Sequence, residues 1–408
     1  MVNKYKISEY CDVMVNGDVS LVCHVGNGNV LKIPTECWRV ISQYLGEYSI
    51  EEICDATADE DDKTYMRQIF EALINRKILI EGNESEIKSV DLALTNRCNL
   101  RCIHCCVDSD LITTEDSLTT DEWKKIIDKV VDLNPKNIVI SGGEPMVRQD
   151  FFEIVMYLKE KHHGSIDLMT NGLFITPQNV KKLVDVFSGF NISLDGHDEE
   201  TCSKIRGKGV FQKVMDAIEL LKNNGVPSKR IALSMVETTY TRNKTQLFDE
   251  LNDRLGTISV VRVFSPIGRG EVNRAQLEII ENQVNENDVK ETELPACQSC
   301  LAGRQKFSIN SNGDIYPCML LEKDEYCLGN INDIQNLRDF FFEKECRKTR
   351  GFLNMEKLMP QKKKECEDCN VRAFCVHCFP DFEKYVNRSD FSKLCAIQKK
   401  SLQYIWEI

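Results

Sequence analysis

Val90-Asp-Leu-Ala-Leu-Thr95, followed after Asn96-Arg97 by Cys98-Asn-Leu-Arg-Cys102-Ile-His-Cys105, is the stretch on which the rest of the chain is organised. The short apolar run predicts a strand, and the cysteines sit on the strand-to-loop turn with C-x3-C-x2-C spacing. Three thiolates so spaced can hold three irons of a four-iron, four-sulfur cluster and leave the fourth iron without a protein ligand, open to a small molecule. Two plainer readings compete. A structural zinc site takes four protein ligands, and buried cysteines take none, so the triplet alone leaves all three open.

A second signal separates them. Ser141-Gly142-Gly143-Glu144-Pro145 follows directly on a predicted strand, Asn137-Ile-Val-Ile140. Together the two motifs resemble the radical S-adenosylmethionine (SAM) superfamily. The resemblance implies that Cys98, Cys102 and Cys105 hold the cluster and that the amino and carboxylate groups of SAM fill the open iron. One electron then cleaves SAM to methionine and a 5′-deoxyadenosyl radical, which removes a hydrogen atom from the substrate. It also implies SAM contacts. His104 stands before the third cysteine, where the family usually has an aromatic residue whose backbone meets the adenine. Gly142 and Gly143 let the backbone approach the methionine moiety, and Glu144 accepts from its ammonium. Ser193 occupies the place of ribose or carboxylate contacts. Arg206 either pairs with the SAM carboxylate or caps a surface turn, and Asp195 braces its loop.

Composition sets the outer bounds. The 408 residues suffice for two or three domains, and 42% apolar content is ordinary for a globular protein. There is no run of eighteen apolar residues and no charged-then-apolar N-terminus, so a cytoplasmic protein with no membrane partner is expected. Nineteen cysteines in such a setting point to metal sites more than to disulfides. A net charge of -12 argues against nucleic acid.

Three domains are expected. In residues 1–85, strands at 4–11, 13–16 and 19–25, turns at Asn16-Gly17 and Gly26-Asn-Gly28, helices at 34–45, 50–56 and 63–76 and a closing strand at 77–80 suggest a winged-helix-like α+β module. Its eight Lys and Arg against fifteen Asp and Glu exclude phosphate binding. The pattern resembles the peptide-recognition element of enzymes that modify ribosomally made peptides, where a leader peptide adds a strand to a sheet edge. Cys11, Cys23, Cys37 and Cys54 are expected to be buried small apolar residues.

Residues 86–288 alternate strand and helix in a parallel β/α rhythm. Strands are predicted at 90–95, 137–141, 166–170, 191–194, 230–236 and 258–263, with helices at 121–133, 151–161, 178–187, 211–224 and 244–254. Thr119 and Glu122 form a capping box for the first helix. Six strands match the partial (β/α)6 barrel of the radical SAM core, an α/β fold with its functional groups at the carboxyl ends of the strands. The glycines of Phe264-Ser-Pro266-Ile-Gly268-Arg-Gly270 suggest backbone near a ligand.

Residues 289–408 carry Cys297-x2-Cys300, Gly313-Asp-Ile-Tyr-Pro-Cys318, Cys366-x2-Cys369-x5-Cys375-x2-Cys378 and Cys395. The pattern closely resembles the cysteine-rich SPASM extension of radical SAM enzymes, with the last C-x2-C one residue shorter than the commonest spacing. By position, Cys297, Cys300, Cys318 and Cys378 would hold an inner auxiliary cluster, and Cys366, Cys369, Cys375 and Cys395 an outer one. That makes three 4Fe-4S clusters in all; two zinc ribbons are the alternative. Met319 stands where sulfatase-maturing members carry an aspartate base, which argues against formylglycine formation.

The combination of modules implies a maturase of ribosomal peptides. The expected activity is hydrogen abstraction from a precursor peptide bound through its leader, then crosslinking, most often as a sulfur-to-carbon thioether. Carbon-carbon crosslinking or oxidative decarboxylation of a peptide is the alternative. A flavodoxin or ferredoxin-type reductant would supply electrons. A non-enzymatic metal-binding adaptor is the reading from a different class, and it predicts no SAM cleavage.

Overall fold

A computed structural model describes residues 5–57, 59–82, 84, 86–109, 116–279, 297, 300–375, 378–387, 389 and 391–407. The chain divides into two compact units, one of Met1–Ser85, Asn282–Leu301 and Met355–Ile408, the other of Glu86–Glu281 and Ala302–Asn354.

The first unit is built on the antiparallel meander β2 (Cys11–Asn16), β3 (Val19–His24) and β4 (Asn29–Pro34). A shorter antiparallel pair joins β1 (Tyr5–Ile7) to β5 (Leu79–Glu81). The single strand expected at 4–11 is interrupted after Ile7, because Ser8 accepts from Tyr10 N at 3.0 Å and from Cys11 N at 3.0 Å, and a turn replaces the ladder. β4 was not expected as a strand. Its signal was present in the Gly26-Asn-Gly28 turn followed by Val30, Leu31 and Ile33. Helices α1 (Thr35–Tyr44), α2 (Ile50–Asp55) and α3 (Glu60–Asn75) follow. Ser49 and Glu52 form a capping box on α2, and Asp59 caps α3 by accepting from Asp62 N at 2.8 Å.

Successive residues of a strand face opposite sides, and β3 is apolar on both. Val22 packs with Ile33, Ile41, Phe70 and Leu73 under the helices. Leu21 and Cys23 pack with Met14, Cys297, Val371, Phe374 and Ile405 on the other side. The N-terminal module and the C-terminal cysteine segment therefore share a core. A buried ion pair reinforces it: Arg372 reaches Asp12 through Nε at 3.2 Å and Nη2 at 2.5 Å, and donates from Nη2 to Val13 O at 2.8 Å.

The second unit contains β6 (Ser89–Ala93), β7 (Asn137–Ser141), β8 (Ser165–Thr170), β9 (Gly189–Ser193), β10 (Ile231–Glu237) and β11 (Ile258–Val263), hydrogen-bonded in chain order and all parallel. This is the expected partial barrel. Between its strands run α4 (Thr120–Val131), α5 (Phe151–Lys161), α6 (Val180–Val186), α7 (Glu199–Arg206), α8 (Val210–Asn223) and α9 (Thr245–Leu255). The Thr119–Glu122 capping box is present on α4, whose Trp123, Ile126, Ile127 and Val130 are buried.

The parallel register sorts the strand residues into two faces. Val90, Leu92, Ile138, Ile140, Ile166, Leu168, Phe190 and Ile192 form one, all essentially inaccessible to water. Each such side chain contributes about 1.5–3 kcal/mol through burial. The opposite face carries Asp91, Ser141, Asp167, Asn191, Ser193 and Ser234, a polar lining suited to a ligand rather than to a packed core.

The sheet does not end at β6. β12 (Lys306–Ile309) adds to it in parallel, and β13 (Asp314–Tyr316) and β14 (Gly329–Asn330) extend it antiparallel to nine strands. These three strands lie in the stretch that the sequence assigns to the cysteine-rich extension, and their backbone pairing continues the barrel sheet into it. Among the described residues, no helix is long and apolar enough to cross a membrane.

Candidate active site

The loop after β6 carries the first cysteine triplet, and polar side chains from several strand ends fix it. Arg148 donates to Leu94 O and to Leu118 O, each at 3.1 Å, and forks onto Asp150. Arg97 N donates to Thr95 Oγ1 at 3.0 Å, and Arg97 Nη1 reaches Asp116 at 3.2 Å. Farther along, Arg269 donates to Cys102 O at 3.1 Å and to Ser109 O at 2.8 Å, and Asn273 to Ile103 O at 2.9 Å. The glycines of Gly268-Arg-Gly270 serve this clamp: a Cβ on Gly268, at φ +56°, would stand 2.4 Å from Cys106 O. Their close approach is to the cysteine loop itself rather than directly to a ligand.

The Gly-Gly-Glu loop after β7 lies on the same turn. A Cβ at Gly142 (φ +133°) would meet Thr95 O at 2.3 Å, and one at Gly143 would meet Arg97 O at 2.4 Å. Gly143 N donates to Thr95 O at 2.7 Å and Glu144 N to Arg97 O at 2.8 Å. Both glycines are thus required to dock the two loops, whatever the backbone later touches.

Glu144 is fully buried. Its carboxylate accepts from Thr170 Oγ1 at 2.9 Å, Asn171 N at 2.8 Å and Met146 N at 3.2 Å. Burial pushes its pKa up to about 7 against the pull of those donors. Asn171 also donates to Asn99 Oδ1 at 2.7 Å and lies 3.9 Å from Cys98 Sγ, so the ends of β6, β7 and β8 are coupled.

Cys102 and Cys105 lie close enough to Cys98 to raise its pKa, and Cys105 does the same to Cys102. Burial is the largest cause for Cys98 and Cys102, and Cys98 is pushed up to about 11, with Glu144 adding and Leu100 N–H opposing. Such thiols are ionised by cations that bind them. Among the described residues, several buried polar atoms beside the loop, His104 Nδ1 and Ser109 Oγ among them, lack a hydrogen-bond partner, and a bound polar molecule would satisfy them.

Asp195 is the residue whose importance the sequence understated. It is fully buried at the end of β9, accepts from Val236 N at 2.6 Å, and meets His104 Nε2 at 2.7 Å and Arg206 Nε at 2.6 Å through Oδ2. Burial alone would raise its pKa, but Arg206, His104 and the Val236 N–H hold it well below the usual carboxylate range. Arg206, placed by the sequence on a glycine-rich stretch, is the last residue of α7 and lies 3.8 Å from Cys102 Sγ through Nη1. The Asp198 cap and Gly207, at φ +102°, are the stop and start signals that could have revealed this helix. Ser193 is half-buried on the polar face, beside Ser234 in the register.

The radical SAM superfamily model matches residues 92–251, and that of the iron-sulfur cluster-binding SPASM domain matches residues 297–370. Mycofactocin maturase MftC of Mycolicibacterium smegmatis is 30% identical over 305 residues, which span 69% of this chain and 75% of that protein. The chain belongs to the radical SAM superfamily. It is an enzyme that uses SAM and a 4Fe-4S cluster, with an auxiliary iron-sulfur domain. AdoMet-dependent heme synthase of Methanosarcina barkeri is also 30% identical, over 329 residues spanning 69% of this chain and 91% of that protein. In fold, the chain is similar to Streptococcus suis SuiB bound to S-adenosylmethionine, with a TM-score of 0.55, 16% identity and coverage of 94% of this chain and 97% of that one. SuiB bound to precursor peptide SuiA matches at a TM-score of 0.54.

The radical SAM fold has its three thiols in one loop, with a buried carboxylate and orphaned polar atoms beside them, a donor set that fits the cluster and SAM. Of the auxiliary cysteines, Cys366, Cys369, Cys375 and Cys395 are gathered in the first unit. Cys366 feels the other three, its thiol pushed up to about 12 by burial first and by those neighbours next. Cys369 N donates to Cys366 O at 3.1 Å in the tight C-x2-C turn. Cys297, Cys300 and Cys378 also belong to the first unit, and Cys318 to the second. Cys297 is fully buried, donates from Sγ to Asn29 O at 3.3 Å, and hydrogen-bonds with Cys23.

Met319 lines a narrow cavity at the strand ends together with Asp91, Ser141, Gly142, Asn310 and Glu322. Met319 brings no carboxylate to this cavity; Asp91 and Glu322 do. Glu322 accepts from Asn310 Nδ2 at 3.1 Å, and burial raises its pKa.

Proposed function

We propose that the chain is a radical SAM maturase of a ribosomally made peptide, joining a cysteine sulfur of the precursor to a carbon of another residue. Its relationship to mycofactocin maturase supports the maturase part of the reading; the likeness in fold to SuiB over nearly the full chain is consistent with it. We further assign residues 1–85 to leader recognition, 86–288 to the barrel and 289–408 to the SPASM extension, in a cytoplasmic protein served by a flavodoxin or ferredoxin-type reductant.

When bound, SAM and its cluster supply a 5′-deoxyadenosyl radical that takes a hydrogen atom from the peptide, and the auxiliary clusters supply a one-electron acceptor. In this reading Cys98, Cys102 and Cys105 hold the first cluster. Glu144 accepts from the SAM ammonium, while the His104 backbone, Gly142, Gly143, Ser193 and Arg206 line its site. Cys297, Cys300, Cys318 and Cys378 hold the inner auxiliary cluster, and Cys366, Cys369, Cys375 and Cys395 the outer one. Joining sulfur to carbon removes two hydrogens, one as the abstracted atom and one as the thiol proton. The thiol proton needs an acceptor, and Glu322 is the carboxylate suited to take it.

The N-terminal module has the size and acidity to hold a leader. Strand addition at β4 would have to displace Arg76, whose Nε donates to Val30 O at 3.0 Å. The three helices also border an open pocket of about 790 Å³, walled by Tyr44, Tyr48 and Tyr65 and lined by Glu36, Glu52 and Asp62. Among the described residues no Lys or Arg lines it, which suits a leader segment that is apolar and basic.

The test is to incubate the reconstituted enzyme, SAM and reductant with any short cysteine-containing peptide found encoded beside its gene, then to weigh the product. Loss of two hydrogens with a masked thiol is expected. Loss of two hydrogens with the thiol still free would replace the thioether by a carbon-carbon link, and loss of carbon dioxide would indicate decarboxylation. The extensive match to heme synthase favours a second reading, in which the substrate is a haem precursor. Turnover of an iron porphyrin, with none of the peptide, would establish that one instead.

A further inference from the structure

Three charged or polar side chains, His104, Asp195 and Arg206, meet beside the first cysteine loop, each nine-tenths or more buried at the side chain. Such a group is costly to bury unless every member is satisfied, so its position calls for a reason. Asp195 supplies the anchor. It is held by Val236 N–H at 2.6 Å, and its Oδ2 faces both Arg206 Nε and His104 Nε2. The 2.6 Å ion pair, made without hydrogen-bond alignment, sets where the planar guanidinium lies, and Nη1 donates to Cys102 Sγ at 3.8 Å. A backbone bond from Ile103 N to Ile205 O at 3.1 Å fixes the spacing of the two segments independently of the side chains.

We propose that Arg206, held by Asp195 as a positioning residue, donates a hydrogen bond to the Cys102 thiolate and thereby raises the reduction potential of the cluster on Cys98, Cys102 and Cys105. Reduction adds an electron to a group already rich in thiolate charge. An N–H donor on one sulfur stabilises the reduced form more than the oxidised one, and hydrogen bonds to sulfur are among the determinants of iron-sulfur potentials. Because Asp195 balances the Arg206 charge, the effect comes from the aimed N–H bond rather than from a free positive charge. The SAM carboxylate can still engage the remaining guanidinium donors, since Arg presents five in all.

The inference rests on the assignment of the first cluster to this loop. It is tested on the full-length, anaerobically reconstituted protein by following the SAM-responsive electron paramagnetic resonance signal against applied potential. Arg206→Lys keeps the charge but cannot reach Asp195 and Cys102 together. It should lower the equilibrium constant for one-electron reduction about tenfold, a fall of about 59 mV. Asp195→Ala should lower it similarly, whereas Asp195→Asn, which retains an acceptor for Arg206, should not lower it. Iron content at the wild-type level certifies each variant; if Asp195→Ala loses its cluster, Arg206→Lys decides alone. An unshifted midpoint in Arg206→Lys overturns the proposal. Absence of any SAM-responsive signal in the wild type would instead overturn the cluster assignment beneath it.

Discussion

Glu144→Gln gives the most direct test of the SAM site, because the carboxylate's surroundings specify a pH dependence as well as a loss. Burial raises its pKa from 4.5 to about 7, opposed by the Asn171, Thr170 and Met146 donors. The ammonium of SAM pairs only with the ionised form, so that form must be populated before binding. At pH 6 about a tenth of a group with a pKa near 7 is ionised, and at pH 8 about nine-tenths, so SAM affinity should rise about tenfold over that interval. Losing a charge-assisted bond costs about 1.5–3 kcal/mol, so the Gln variant should bind about 10- to 150-fold more weakly at pH 8 and lose most of the pH slope. The same shift has a sign in stability. A carboxyl whose folded pKa exceeds its unfolded value stabilises fully below about 4.5 and loses that contribution as pH rises through about 7, up to about 3 kcal/mol without SAM. Equilibrium dialysis with labelled SAM from pH 6 to 8, on wild type and variant with equal iron, is the assay. Wild-type affinity that is flat with pH, or a variant that binds like wild type, would refute the reasoning.

Other outcomes follow from the same geometry. Gly142→Ala places a Cβ 2.3 Å from Thr95 O at φ +133°, and it should cost more than about 3 kcal/mol in stability with loss of iron from the first loop, read by melting and iron assay. Arg372→Ala strands the buried Asp12 carboxylate and should destabilise the first unit by about 3–5 kcal/mol, read as a lowered melting temperature; Asp12→Asn together with Arg372→Ala should recover part of the loss. Glu322→Gln should leave SAM cleavage running while crosslinked peptide falls by about 10²-fold or more, so the ratio of 5′-deoxyadenosine to product rises; an unchanged ratio would remove Glu322 as the proton acceptor. Iron per chain should be about twelve and fall to about eight on mutation of Cys366 and Cys369 together, counted colorimetrically.

Much of the barrel was legible because its signals are local. Apolar runs of strand length, the Thr119–Glu122 capping box and the helix faces all operate within a few residues, and the six parallel strands appear where patterning put them. The misses have physical causes of two kinds. Some were short signals overlooked, such as β4 after its glycine turn or α7 between Asp198 and Gly207. Others had no local signal. Nothing around Lys306 says that β12 pairs with Ser89–Leu92, because that pairing is decided by edge hydrogen bonds between segments more than two hundred residues apart.

The sequence by itself determined which atoms are available for chemistry: three thiols close along one loop, a Gly-Gly-Glu turn after the next strand and a second series of cysteines in the tail. Covalent spacing sets those features before any folding. Only the tertiary structure decided what stands beside them. Folding put Asp195 between His104 and Arg206, used the paired glycines to seat one loop on another, and gave the N-terminal sheet and the C-terminal cysteine segment a common core. These are juxtapositions of distant residues, stable because buried charge must find a partner and apolar strand faces must leave water, and neither demand is written in the spacing of neighbours.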